Sequence, residues 1–161
     1  MKLVSRSSTS TTLSEIMGQR SKRDQFVVYL REKEKSIENL NFVLWYEDYS
    51  IRFQYTPPAQ QRREIESIID TYFDSRSISE VNIDQERKLD SLNQVRQCFE
   101  SNASIPPRVF ENIYRICLNL LETSSIPAFL SYRKAERMSF RTILGLRETY
   151  SISRSSSSST S

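Results

Sequence analysis

Fourteen consecutive residues, Ser36 to Tyr49, constrain this chain more than any other stretch. Ile37, Leu40, Val43 and Leu44 recur at helical spacing, and Phe42, Trp45, Tyr46 and Tyr49 widen the apolar belt. A helix this rich in aromatic surface belongs at the centre of a bundle, because its rim cannot all face water. Ser36 is placed to cap it by accepting backbone N–H bonds, and Glu38 sits where the helix dipole favours a negative charge. Only two glycines and five prolines punctuate the 161 residues, too few for a turn-rich β fold. The expected class is all-α, and the length and apolar content suit one domain with a single core.

The rest of the chain extends the helical pattern. Thr12 to Glu15 forms a capping box ahead of Ile16 and Met17, and Gly18 closes that short helix. A second helix opens at about Ser21 and turns Phe26, Val27, Tyr29 and Leu30 inward, while Arg31 to Lys35 alternates in charge like a solvated face. The central helix runs to about Gln54, and Pro57 and Pro58 start the next. There Ile65, Ile68, Ile69, Tyr72 and Phe73 give the plainest amphipathic pattern in the chain. Asp84 caps a helix with Leu89, Leu92, Val95 and Phe99 on one side. Another carries Phe110, Ile113, Tyr114, Cys117, Leu118 and Leu121 inward. Thr123, Ser124 and Ser125 break or kink the chain before a short helix with Pro127 in its first turn, and a last amphipathic piece spans about Met138 to Leu146. The expectation is about eight or nine helices joined by short loops. Residues 1–11 and 150–161, rich in serine and threonine, are expected to be disordered tails around a domain spanning 12–149.

Composition excludes most chemistry. Histidine is absent, which removes Ser-His and Cys-His catalysis and most transition-metal sites. Two distant glycines cannot build a phosphate-cradling loop. Glu47 and Asp48 are adjacent, so a helix points them to different sides and they make no acid/base pair. Cys98 and Cys117 fall near apolar helical positions, as inert buried thiols of a reducing compartment do. A net charge of +3, with both signs mixed, is too mild for nucleic acid. No membrane span, signal peptide or lipidation motif is visible. The expectation is a non-enzymatic protein without cofactor or metal, working through a surface that binds another protein.

Ser36, Glu38, Asn39, Leu40 and Phe42, leading into that aromatic helix, resemble the signature of the regulator-of-G-protein-signalling (RGS) domain. Glu80, Val81, Asn82, Ile83 and Asp84 are similar to a second family segment. Ile113-Tyr114, Leu120-Leu121-Glu122 and Phe129-Leu130 resemble a late one, all in the family's order and at about its spacing. The resemblance implies an all-α bundle with a four-helix core and a smaller subdomain of first and last helices. It also implies the partner, the activated α subunit of a heterotrimeric G protein (Gα). Three loops at one end of the bundle would grip its switch segments and accelerate its GTP hydrolysis. The setting would be the cytoplasm at the inner face of the plasma membrane, with a monomer acting alone.

Residue by residue, the resemblance implies that Ser36, Glu38 and Asn39 form the first contact loop. Asn82 would be the second loop's contact and orient the Gα glutamine. Leu120, Ser124, Ser125 and Ala128 would form the third. Read without the resemblance, Asn82 is more readily a loop-to-helix cap, and Asn39 is almost as readily a first-turn residue. The third loop departs from the family, which usually has aspartate at Ser124 and a supporting arginine at Ala128. Lys35 stands where an aromatic contact is frequent. Losing a charge-assisted acceptor costs about 1.5–3 kcal/mol, roughly ten- to a hundredfold in affinity. The Ser125 to Leu130 segment resembles the corresponding region of some fungal members, which often lack the same pair. Two alternatives stand beside the activator: a catalytically degenerate RGS-like scaffold, and weak association of Arg133, Lys134, Arg137 and Arg141 with an anionic membrane surface.

Overall fold

Thr12 caps the first helix as expected. In the computed structural model, which describes residues 11–144, its hydroxyl accepts the Glu15 N–H at 3.3 Å, and the Glu15 carboxylate accepts the Thr12 N–H at 2.9 Å. Seven α-helices follow among the described residues: α1 Leu13–Met17, α2 Arg20–Tyr29, α3 Ile37–Arg52, α4 Pro58–Tyr72, α5 Gln85–Glu100, α6 Glu111–Leu120 and α7 Ile126–Ile143. No strand occurs among these residues, so the all-α class holds. The helix count falls short of eight or nine for one main reason. The two pieces expected beyond Ser125 are one continuous helix, α7. The expectations for residues 1–10 and 145–161, including the serine-rich tails, lie outside the described residues.

The chain divides into two compact units, Met1–Phe129 and Leu130–Ser161. The first holds the core. Leu40, Phe42, Val43 and Tyr49 of α3 are buried, whereas Leu44 is partly exposed, so the belt is narrower than its composition suggested. Phe42 meets Tyr72 of α4 at 5.6 Å between ring centroids, and Trp45 meets Phe110 at 5.5 Å, both edge to face. Such pairs add about 0.5–1.5 kcal/mol each beyond area burial. Polar bonds fix the layers: the Tyr49 hydroxyl donates to the Ile105 carbonyl at 2.7 Å. Buried Gln61 in α4 donates to the Phe53 and Thr56 carbonyls and accepts the Ile105 N–H. The Ser91 hydroxyl of α5 donates to the Val109 carbonyl at 2.8 Å. Helices α3 to α6 are thus the four-helix core. Phe26 and Tyr29 of α2 pack on Phe129 at 5.1 and 5.6 Å, and Glu122 accepts the Leu13 N–H at 2.9 Å, joining the first helices to the start of α7.

Two elements differ from their sequence pattern. In α5 the inward stripe is Lys88, Ser91 and Val95, while Leu89 is exposed. The Lys88 stem covers apolar surface, and its ammonium ends on Glu80 at 2.6 Å, so a lysine serves as a core residue. Between α6 and α7 the helix is not broken at Thr123 to Ser125. It widens into a π-helical turn, Leu121–Ser125. Pro127 cannot donate a backbone hydrogen bond and would crowd the carbonyl four residues back in a regular helix, and the wider turn relieves both problems.

Candidate functional site

A second π-helical turn, Leu30–Glu34, ends α2, so two widened turns flank the candidate surface. Lys35 closes it in the left-handed conformation at φ 60°, and the Ser36 N–H reaches back to the Leu30 carbonyl at 3.0 Å. This reversal, usually made by glycine, delivers the chain into α3. Ser36 does not cap α3 as expected. Its hydroxyl donates instead to Glu34 Oε1 at 2.5 Å, a charge-assisted bond that holds the side chain back toward the preceding turn and away from the α3 amides.

The same Glu34 oxygen accepts the Ser125 hydroxyl at 2.6 Å. Glu34 and Ser125 are the last residues of the two π turns, and their bond ties the first loop to the third. Ser125 is buried by this tie, while Ser124 and Ala128 face outward and Leu120 is half-buried. Glu34 is a residue of this candidate surface that sequence reasoning missed. Its neighbours Lys33 and Lys35 made it look like one more solvated charge.

Glu38 and Asn39 occupy the first turn of α3. Partial burial, and then the negative charge of Glu34, hold the Glu38 carboxyl above its ordinary range, against a bond from its own backbone amide. Burial, and then the Glu38 charge, push the Cys117 thiol up to about 12, so Cys117 is inert packing beneath this turn. Asn39 is only 7% exposed, and its Oδ1 has no hydrogen-bond partner. A buried carbonyl oxygen left unpaired costs about 1–3 kcal/mol.

Asn82 stands on the second loop with Val81 and Ile83 buried on either side, so alternation alone turns it outward. Three bonds hold that loop: Val81 N–H to the Tyr72 carbonyl at 3.0 Å, Glu80 to Lys88, and the Asp84 side chain accepting the Arg87 N–H at 3.0 Å. The helix cap is therefore Asp84, which leaves Asn82 free of that duty. Tyr72 abuts Phe42, one turn along α3 from Asn39, and this packing connects the second loop to the first. The arrangement offers hydrogen-bond acceptors and donors on a frame held by these bonds.

Comparison with known families matches residues 12–134 to the Regulator of G protein signaling domain. The match covers most of the chain, and the protein belongs to the RGS family. Its members regulate G-protein signalling by binding Gα. Among curated proteins no relative matches the chain.

Proposed function

We propose that this protein binds the GTP or transition-state form of a Gα subunit and accelerates its GTP hydrolysis, down-regulating the signal. The single observation that carries the reading is the Glu34 carboxylate holding Ser36 and Ser125 together, which presents the first and third loops as one surface. The chemistry belongs to Gα, which brings its own arginine and glutamine. The RGS surface contributes differential binding, stabilising the switch conformation in which charge develops. Ser36, Glu38 and Asn39 contact the switches, Asn82 orients the Gα glutamine, and Leu120, Ser124 and Ala128 complete the rim, with Ser125 buried behind it on Glu34. Ser124 takes the place of the usual acidic acceptor, with a correspondingly weaker bond. The protein acts as a monomer in the cytoplasm, at the inner face of the plasma membrane.

Ser124 and Ala128, both exposed and uncharged, also favour a second reading, a degenerate scaffold that uses another face. Single-turnover GTP hydrolysis by a panel of Gα subunits separates the two. Acceleration abolished by Asn82→Ala supports the activator. A folded protein that accelerates none of them, or binds the GDP and fluoride-aluminate forms equally, supports the scaffold. Asn82 is exposed, so Asn82→Ala should change stability by less than about 0.5 kcal/mol, and any loss of activity reports on the interface.

A further inference from the structure

The second half of α7 has no role in the Gα surface, yet it concentrates the chain's charge. Between Leu130 and Leu144 lie Arg133, Lys134, Arg137 and Arg141 against the single acid Glu136. That net +3 equals the net charge of the entire chain. Within the same segment Phe140 is 66% exposed, Ile143 77% and Leu144 68%. Phe140, Ile143 and Leu144 follow the i, i+3, i+4 rule and so form one strip along the helix. Arg133, Arg137 and Arg141 follow each other at four-residue steps and form the neighbouring strip. Glu136 accepts the Tyr132 hydroxyl, so the one acid is engaged on its own helix.

We infer that this face of α7 is a docking surface for an anionic lipid bilayer. A strip of large apolar side chains flanked by arginine is the pattern of a helix that lies in the interface, with its apolar edge among the acyl chains and its cations at the headgroups. The charge selects this occupant: an acid-poor segment bearing all of the net positive charge is complementary to a negative surface, and a second copy of the same basic strip would repel it. No helix among the described residues is long and apolar enough to cross a membrane, so the contact is peripheral. The inference is independent of the Gα reading.

The test is co-sedimentation of the full chain with phosphatidylcholine vesicles, with and without phosphatidylserine. At low ionic strength the protein should pellet with the anionic vesicles only, and raising the salt to several-fold above physiological should weaken binding by about tenfold or more. Arg137→Gln with Arg141→Gln, and separately Phe140→Ser with Ile143→Ser, should each reproduce that loss. All four positions are exposed, and unchanged circular dichroism would verify the fold. Absence of binding at low salt, equal binding to neutral vesicles, or binding indifferent to both double variants would overturn the inference. So would a concentration-dependent dimer abolished by Phe140→Ser with Ile143→Ser, which would mean that a second copy covers the strip. Stimulation of Gα in solution needs no vesicle, so failure of one reading leaves the other intact.

Discussion

The Ser125 hydroxyl donates to Glu34 Oε1 at 2.6 Å, across 91 positions of sequence. Each is the last residue of a π-helical turn, and the widened turns aim the two side chains at each other. Removing Glu34 would strand the buried Ser125 hydroxyl and release Ser36. Glu34→Ala is therefore expected to cost about 1–3 kcal/mol in chemical denaturation. Under the proposed function it should also slow stimulated GTP hydrolysis more than Ser36→Ala does, because it unties both loops. Equal effects of the two variants would show that the third loop is held by other contacts.

Asn39 presents the opposite case, a polar group that the isolated domain would be better without. Its buried, unpaired Oδ1 makes Asn39→Leu, a change of similar volume, neutral or stabilising by up to about 1 kcal/mol. The same variant should lose Gα stimulation. Thermal melting beside single-turnover kinetics checks both halves, and a destabilised Asn39→Leu would mean that Asn39 serves the fold.

Lys35 holds φ at 60°, where a Cβ is disfavoured by about 1–2 kcal/mol. Glycine removes that strain but gives the unfolded chain more freedom. The net expectation for Lys35→Gly is a gain of about 0.5–1 kcal/mol, read as a higher denaturation midpoint at unchanged slope.

Acid lability should trace in part to Glu64. Hydrogen bonding from Arg52, and to a lesser degree from Trp45 Nε1 at 2.8 Å, holds its carboxyl below the ordinary value of 4.5. A carboxyl lowered on folding binds fewer protons in the native state. Its contribution is complete above the unfolded value and is lost as pH falls through the folded one. Glu64→Gln should remove about 1 kcal/mol at neutral pH, discounted because a third of the Arg52 side chain is in water, and should flatten stability against pH below about 4.5. Trp45 fluorescence in denaturant titrations at several pH values measures it. Glu38 works in the opposite sense: its raised carboxyl binds more protons in the native state, so its contribution weakens as pH rises through the carboxylate range.

Local rules were enough to reveal the helices, the Thr12 box, the Asp84 cap and the aromatic centre of α3, because capping and periodicity act within a few residues. Order and spacing of short motifs were enough for the family. The outward aim of Asn82 was implicit in the alternation of Val81, Asn82 and Ile83. The tie between Glu34 and Ser125 was not legible, nor was the core role of Lys88, whereas the inert, buried setting of Cys117 was. The first two depend on what another segment places opposite a side chain, and periodicity carries no information about a partner outside the helix. The sequence alone determined the class and where most of the helices lie, though not that the chain stays helical through Thr123 to Ser125. Tertiary packing decided which charges were buried, because only a folded neighbour can supply the hydrogen bond that makes burying them tolerable.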